Sequence, residues 1–430
     1  MPADKAPSPQ RNYYVVALIM LTFFVISFLT NIIGPLVPDI IKGFKLSLTM
    51  VAVLPFAFFI AYGVMSIPSG ILIEKYSGKR MMIVAFVIAF AGALLLSLFP
   101  NYLTAIISLF LIGCGMAMLQ VVINPLLRTS GGEEHYAFNS VLAQLIFGLA
   151  SFVSPLVYSY LVTNLKSGGS GGDKILHVIS SVVPASLPWI SLYWLFALVS
   201  LVMVVVIGLS RFPKVELSEE ERAGALRVHQ QLLKKPIVIL FFIGIFAYVG
   251  TEQGVANWIS QFLYVYHGYD PQTTGAQAVA YFWGLMTAGG VIGLFLLKIM
   301  DSRKVLIIFT VLAIICLTMG LFGPGKLSLV SLSMVGFFAS VMYPVIFSLA
   351  LNSLSAHHGA FSGILLTGVI GGAVIPLVIG SLGDHFGLRA GLCFIYLTMG
   401  YILSVGIWAK PIITNKTIRR SGKKQASASH

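Results

Sequence analysis

One acidic residue, Glu252, lies in the middle of a long apolar stretch and is well placed to do chemistry. It follows Lys235 by 17 residues and precedes His267 by 15. At a rise of about 1.5 Å per residue, a helix over this stretch would place its carboxyl group near the middle of a bilayer. Because a charge at that depth costs at least about 2.5 kcal/mol on insertion scales, such residues are seldom incidental.

The residues around Glu252 give the same helix one polar face. Polar side chains follow at helical spacing, namely Gln253, Asn257, Ser260 and Gln261. The flanking Gly250 and Gly254 would permit close packing or local unwinding. Two interpretations fit: a protonated glutamic acid bonded to an amide of a neighbouring helix, or a site that lines a water-accessible pathway. We favour the pathway.

The composition predicts an all-α membrane protein. Of 430 residues, 58% are hydrophobic and 10% are charged, and the mean hydropathy is +0.94. No soluble domain of this length needs so much apolar surface. The net charge of +13 comes from basic residues in short loops, so we expect a lipid bilayer and no nucleic acid as partner. The three cysteines fall inside apolar runs, which predicts neither a disulfide framework nor a metal site.

Apolar runs of about 18 to 28 residues predict twelve transmembrane helices. They lie near residues 13–41, 48–73, 81–99, 102–127, 137–164, 188–210, 236–265, 273–298, 303–321, 327–353, 359–382 and 388–409. The polar segment 211–235 separates six spans from six and suggests a surface helix. We therefore predict an N-terminal half over 12–210, a cytosolic linker over 211–235, a C-terminal half over 236–410 and a basic cytosolic tail over 411–430.

The basic residues also predict an orientation. With both termini in the cytosol, 21 of the 27 Lys and Arg residues fall on that side. The other six are Lys42, Lys45, Lys166, Lys174, Lys326 and Arg389. This bias fits the positive-inside rule and an even number of spans. The short loops suit a bacterial inner membrane.

The two halves of the sequence look related. The run Pro155–Leu161 matches Pro376–Leu382 at an offset of 221, and Asn124-Pro125 matches Tyr343-Pro344 at an offset of 219. Two similar offsets indicate a duplicated six-helix unit, the arrangement of transporters whose substrate lies between two halves.

The loop after the second span resembles a motif of the major facilitator superfamily. The segment Gly70–Arg80 reads Gly-Ile-Leu-Ile-Glu-Lys-Tyr-Ser-Gly-Lys-Arg, against the motif Gly-x-Leu-x-Asp-Arg-x-Gly-Arg-Lys. The candidate gating residues are Gly70, Glu74, Lys75, Lys79 and Arg80. An acid and several cations at helix ends can form a latch that pairs only when that side is closed. The same loop also fits a simple topogenic role.

Five further stretches narrow the resemblance. They are Gly113–Pro125, Tyr248–Glu252, Tyr281–Gly284, Tyr343–Ser348 and Val369–Pro376. Together they are similar to the fucose:proton symporter family, particularly its glucose/galactose branch. The resemblance implies a twelve-helix alternating-access carrier for monosaccharides, without a cofactor and typically driven by protons.

The sequence departs from this family at the first span. Asn31 is kept, but the proton-coupling Asp of the family's fucose member corresponds to Gly34. The family's acid in the fourth span is Gln120, as in the glucose/galactose branch. Glu252 therefore remains as the mid-membrane carboxylate, while Asp39, nearer the outer end of the first span, suits a cap or gate.

The candidate substrate-binding residues are mostly amides and aromatic rings. They are Asn31, Gln120, Asn124, Gln144, Glu252, Gln253, Asn257, Trp283 and Tyr343. Amides donate and accept as sugar hydroxyls do, and aromatic faces cover the C–H faces of a pyranose. A neutral monosaccharide fits. A carboxyl group without a cationic partner favours its protonated form, so Glu252 could take up and release a proton during the cycle.

Three other functions remain to be weighed. An uncoupled sugar facilitator and a drug or metabolite:proton antiporter of the same superfamily both stay open. An enzyme is not expected, because all eight histidines fall in loops or tails and no metal-ligand spacing is present. We expect a monomer.

Overall fold

The computed structural model describes residues 12–132, 135–166, 179–213, 226–354 and 358–412. Within these ranges all regular structure is helical, and twelve helical segments are long and apolar enough to cross a bilayer. The predicted all-α fold with twelve spans is confirmed. Residues 214–225 of the predicted linker and the tail from 413 onward lie outside the described ranges.

Six spans form the N-terminal half, and the first of them is broken. Span 1 consists of the helices Tyr13–Thr30 and Ile33–Phe44. Spans 2 to 5 are Leu48–Lys75, Gly78–Leu98, Tyr102–Gly131 and Tyr136–Lys166. A short turn, Pro188–Ile190, leads into span 6, Ser191–Leu209.

The C-terminal half follows a short helix, Leu226–Leu233. Spans 7 to 9 are Pro236–His267, Ala276–Ile299 (after the turn Pro271–Gly275) and Ser302–Phe322. Span 10 consists of Gly325–Ala339 and Met342–Leu351, and span 11 of His358–Thr367, Gly368–Ile370 and Gly371–Phe386. Span 12 consists of Leu388–Cys393 and Ile395–Trp408.

Successive spans run in opposite directions, so their ends lie at two faces of the molecule. We name the face where the described chain begins and ends, at Asn12 and Ile412, the terminal face, and the opposite one the distal face. At the terminal face the Asn12 amide donates to the Ser130 carbonyl at the end of span 4 (3.2 Å). The Ile412 amide similarly donates to the Asn352 carbonyl after span 10 (2.7 Å).

Proline explains the breaks in spans 1 and 10. Proline has no N–H to donate to the carbonyl four residues earlier, and its ring crowds that carbonyl. Pro35 stands four residues after Asn31, where the first helix of span 1 ends. Pro344 stands four residues after Ser340, where the first helix of span 10 ends. The hydropathy pattern predicted each span as one continuous helix and missed both breaks.

Glycine lets neighbouring spans pack backbone to backbone in both halves. A Cβ at Gly113 of span 4 would overlap the Phe58 carbonyl oxygen of span 2. In the second half, a Cβ at Gly336 of span 10 would overlap the Phe282 carbonyl oxygen of span 8. Helices in lipid associate mainly through such close packing. The same pair of spans thus meets in the same way in each half.

A basic side chain also closes each half in the same way. Lys79, at the start of span 3, donates to the Gly208 and Ser210 carbonyls at the end of span 6 (2.7 and 2.8 Å). Arg303, at the start of span 9, donates to the Ala409 carbonyl at the end of span 12 (2.9 Å). These carbonyls have no partner within their own helix, and a cation there also suits the helix dipole. The two halves are structural repeats.

Because the Gly113 contact is between backbones, we expect Gly113→Val to destabilise the protein. The added side chain cannot be accommodated by rotating another side chain, and overpacking of this kind typically costs about 1–3 kcal/mol. Thermal unfolding of the purified protein in detergent should show a lower Tm. Gly400→Val is the control, since a Cβ at Gly400 meets no described atom within 4 Å. Equal Tm values for the two variants would contradict the packing argument.

Candidate functional site

In the distal parts of spans 1 and 7, next to the break of span 1, the two halves touch backbone to backbone. A Cβ at Gly34 would overlap the Ala256 carbonyl oxygen and lie 3.3 Å from the Asn257 Cα. Gly34 is the position at which the sequence resemblance leads one to look for an acid. In this conformation no side chain fits there, and the position is filled by a backbone contact between the halves.

Asp39 lies in a second contact between the halves at the distal face. Its carboxylate accepts from the Tyr158 hydroxyl of its own half (2.6 Å) and from the Gln272 amide of the other half (3.0 and 3.1 Å). The Lys166 ammonium donates to the Gln272 side-chain oxygen (2.8 Å). Gln272 is therefore held by two residues of the opposite half. The expectation of a gate at Asp39 agrees with these contacts.

The candidate gating motif at the terminal face makes no comparable contact within the described residues. A Cβ at Gly70 would meet no described atom within 4 Å. Lys79 binds the end of span 6 in its own half, and Lys75 lies over the adjacent Tyr76 ring (5.8 Å). The Arg80 amide donates to the Ser77 hydroxyl, again within the same half (3.4 Å). The Glu74 side chain lies outside the described part of the chain. Contacts between the halves therefore close the distal face, whereas the described residues of this motif make none at the terminal face.

Glu252 belongs to a cluster of hydroxyl groups in the C-terminal half. It is half-buried in span 7, and the Tyr248 hydroxyl one turn earlier hydrogen-bonds to its carboxyl group. The Tyr343 ring of span 10 lies 5.7 Å from the Tyr248 ring and stacks on Phe347. Tyr248 was not among the candidate site residues, although its i−4 spacing from Glu252 was visible in the sequence.

Asn31 lies at the break of span 1 and is hydrogen-bonded within the N-terminal half. Its side-chain amide donates to the Ser151 hydroxyl of span 5 (2.8 Å), and Ser151 also bonds Ser27 (2.6 Å). The break exposes the end of one helix in mid-span, and the Asn31 backbone amide caps it by donating to Ser27. Ser151 is a site neighbour that the sequence did not reveal, since only the tertiary structure brings it to Asn31.

The amides of spans 4 and 5 are the accessible members of the candidate set. Asn124 and Gln144 are exposed and Gln120 is half-buried. Asn124 and Gln120 share one helix face, and the Asn124 amide donates to the Gln120 carbonyl (3.3 Å). Asn124 and Gln144 each lie only about two turns from the end of their span at the terminal face. They are therefore closer to the terminal face than to the distal face.

The remaining candidates are buried. Gln253 lies against Gly372 of span 11. The Asn257 side-chain nitrogen and the Trp283 indole nitrogen are buried without a hydrogen-bond partner among the described residues. Buried donors normally find a partner, so both are available to a bound polar group or to water.

The structure thus brings together some of the candidate residues and not others. Tyr248 contacts both Glu252 and Tyr343 and so links these two candidates. Asn124 contacts Gln120 directly. Asn31 and Gln253 contact neighbours outside the set, namely Ser151 and Gly372. Two surface crevices, one beside Tyr13 and His135 and one between spans 7 and 12, contain none of the candidates.

Comparison with known proteins gives one family. The sequence pattern of the Major Facilitator Superfamily matches residues 19–376. The glucose/galactose transporter of Brucella abortus biovar 1 (strain 9-941) is 30% identical over 416 residues, which cover 94% of this chain and 97% of the relative. The L-fucose-proton symporter of Escherichia coli (strain K12) is 25% identical over 415 residues, covering 91% and 93%. The resemblance drawn from the sequence is confirmed, and these relatives are named as transporters rather than enzymes.

Solved structures share the fold. A bacterial homologue of the human lysosomal transporter Spinster, in an inward-facing and unoccupied conformation, superposes with a TM-score of 0.77 at 15% identity, covering 93% of this chain and 98% of that one. FucP in the outward conformation superposes with a TM-score of 0.63 at 21% identity, covering 92% and 98%.

Because Gly34 packs on the span 7 backbone, we expect Gly34→Ala to weaken closure of the distal face. The added methyl group would overlap the Ala256 carbonyl oxygen, so spans 1 and 7 must separate there. Hydrogen–deuterium exchange should rise in peptides from the distal halves of both spans. Gly290→Ala is the control, because a Cβ at Gly290 meets no described atom within 4 Å. Exchange equal to that of the control would refute the role of this contact.

Proposed function

Because the chain belongs to the Major Facilitator Superfamily, we propose that it is a secondary active transporter of a neutral monosaccharide. The substrate would be a hexose such as glucose or galactose, or a deoxyhexose, moved by alternating access with proton symport through Glu252. The relatives named as glucose/galactose transporter and L-fucose-proton symporter support this substrate class. The observation that carries the proposal is the half-buried Glu252 beside two tyrosines in the middle of span 7.

The charge distribution supports a neutral substrate. Every Lys and Arg in the described spans stands within about one helical turn of a span end. A fixed cation that would balance an anionic substrate is therefore missing from the middle of these spans. Amides and tyrosine hydroxyls, which both donate and accept, offer hydrogen bonds to sugar hydroxyls instead.

The surroundings of Glu252 support proton coupling. Its described hydrogen-bond partner is a neutral hydroxyl, not a cation, so nothing in this environment compensates a full negative charge. Protonated Glu252 would donate a hydrogen bond to the sugar or to Gln120. Loss of the proton after reorientation would remove that donor and weaken sugar binding, which links sugar release to proton release.

The contacts that close the distal face, together with the lack of such contacts among the described residues of the motif at the terminal face, support alternating access. In this proposal the halves 12–210 and 236–410 rock as two bodies joined by the linker 211–235, and the tail 411–430 lies at the membrane surface. The bias of the basic residues supports a cytoplasmic terminal face, and the structure would then be open inward. We propose a monomer in a bacterial inner membrane.

An uncoupled facilitator is the second candidate, and Gly34 is the observation that favours it. The fucose member of the resembling family carries its proton-coupling acid there, and this chain cannot hold a side chain at that position while the distal face is closed. Glu252 would then only bind sugar.

Transport in liposomes distinguishes these functions. We expect labelled glucose, galactose, fucose or mannose to accumulate against its gradient when an inward proton gradient is present. Glu252→Gln should still equilibrate sugar but lose accumulation and its pH dependence, because an amide cannot exchange the proton. Asp173→Asn, which changes a carboxylate in the Gly- and Ser-rich segment between spans 5 and 6, should behave as the parent.

The other possible results of the liposome experiment would each indicate a different function. Equilibration that ignores the proton gradient in the parent would identify a facilitator. Proton-driven accumulation that survives in Glu252→Gln would reject coupling through this residue. No flux of any of the sugars would favour a drug or metabolite:proton antiporter.

Site-directed labelling tests the proposed orientation. After replacement of the native cysteines, Ile412→Cys at the terminal face (68% exposed) should resist a membrane-impermeant maleimide in intact cells. Lys326→Cys, exposed at the distal face, should react. The reverse pattern would show that the termini lie outside.

A further inference from the structure

Ten consecutive positions at the end of span 11 repeat the loop motif that follows span 2. The two segments, Gly70–Lys79 and Gly380–Arg389, align without a gap at a constant offset of 310. The shared positions pair Gly70 with Gly380, Leu72 with Leu382, Glu74 with Asp384, Lys75 with His385, Tyr76 with Phe386 and Lys79 with Arg389. The first copy lies at the terminal face and the second at the distal face.

The acid of the distal copy binds the start of a helix in the opposite half. The Asp384 carboxylate of span 11 accepts from the Leu48 and Thr49 amides (both 2.8 Å) and from the Thr49 hydroxyl (2.5 Å). Leu48 is the first residue of span 2. A carboxylate at a helix start satisfies free amides and also meets the positive end of the helix dipole.

Asp384 completes the capping of span 2. The first amides of a helix have no partner within it. At the start of span 2 the Met50 amide donates to the Ser47 hydroxyl (3.2 Å) and the Val51 amide to the Ser47 carbonyl (3.1 Å). The Val51 bond is the first bond within the helix, so span 2 caps only the free Met50 amide by itself, while the Leu48 and Thr49 amides depend on a residue from the opposite half.

Gly380 allows the two spans to approach closely enough for this contact. A Cβ at Gly380 would lie 2.6 Å from the Leu48 carbonyl oxygen and 3.0 Å from the Ala52 Cβ. The equivalent glycine of the terminal copy, Gly70, has no described atom within 4 Å of its Cβ position. In the conformation that is closed at the distal face, the distal copy of the motif is engaged with the opposite half, and the described residues of the terminal copy make no such contact.

We propose that Asp384 and Gly380 form a latch that holds the distal face closed and is released when that face opens. The segment Gly70–Lys79 is its counterpart, engaged when the terminal face closes. The two copies of one motif would then stabilise the two end states of the transport cycle in turn. This inference rests on the proposed alternating access but not on the identity of the substrate or on proton coupling.

The chemistry of the latch determines how strongly each variant should weaken closure of the distal face. Asp384→Asn keeps one acceptor oxygen but turns an NH₂ group toward a helix start that needs acceptors. Thr49→Val removes only the hydroxyl and keeps the backbone amide, so its effect should be smaller. Gly380→Ala keeps the carboxylate and instead blocks the approach. Asp301→Asn is the matched control, because the Asp301 carboxylate also caps a helix start, accepting from the Arg303 amide (3.0 Å), but within its own half and at the terminal face.

Electron paramagnetic resonance distances between the halves test the latch without any substrate. Spin labels at Leu103 (65% exposed) and at the exposed Lys326 report on the distal ends of the two halves, in a variant whose native cysteines are replaced. The parent should give mainly one short distance. Asp384→Asn and Gly380→Ala should each raise the fraction at longer distance at least threefold, with a smaller rise in Thr49→Val and none in Asp301→Asn.

Unchanged distances between the halves would overturn the proposed latch. Distance distributions in Asp384→Asn and Thr49→Val that match the parent would reject it. If Asp384→Asn does not elute as a monodisperse peak, Thr49→Val, which retains every charge, decides by itself. Because no sugar or proton gradient is added, failure of the latch is separable from failure of the proposed transport function.

Discussion

The close approach of one backbone to another is the interaction on which this structure depends. Apolar side chains gain little by leaving lipid for each other, so close packing at glycines, and not the hydrophobic effect, drives the association of these helices. Some of these contacts lie inside a half, as at Gly113 and Gly336. Others lie between the halves, as at Gly34 and Gly380. In the proposed alternating access the first class would stay intact and the second would form and separate.

The polar groups follow the same division. Asn31 is hydrogen-bonded to Ser151 within the N-terminal half, and Glu252 to Tyr248 within the C-terminal half. Among the described residues, the hydrogen bonds that cross between the halves at Asp39 and Asp384 lie at the distal face. The hydrogen bonds of Asn31 and Glu252 are therefore made inside their own halves, and a molecule bound between the halves could engage both residues without breaking a hydrogen bond that holds the halves together.

How much the sequence could predict follows from the range of each interaction. The twelve spans were predictable because backbone groups in lipid must bond within their own helix, which leaves a long apolar run as the signal. Glu252 stood out for the same reason. The helix break at Asn31 was missed because hydropathy does not register a lost hydrogen bond. The presence of Pro35 four residues later could have indicated the break. Ser151 beside Asn31 could not be predicted, since that contact joins residues far apart in sequence. Lys79 was assigned to a gate, whereas in this conformation it caps a helix of its own half.

The caps supplied by Lys79 and Arg303 have a consequence for assembly. Each ties the third span of a half to the sixth span of the same half. The last helix of each half is therefore held at its end without any contact with the other half. The two halves are in this sense separate modules, with Leu226–Leu233 preceding the second. A chain cut between them would leave two fragments whose exit helices are both still capped. Such fragments suit reconstitution from separate genes and exchange between relatives, with the inter-half surfaces as the features that must match.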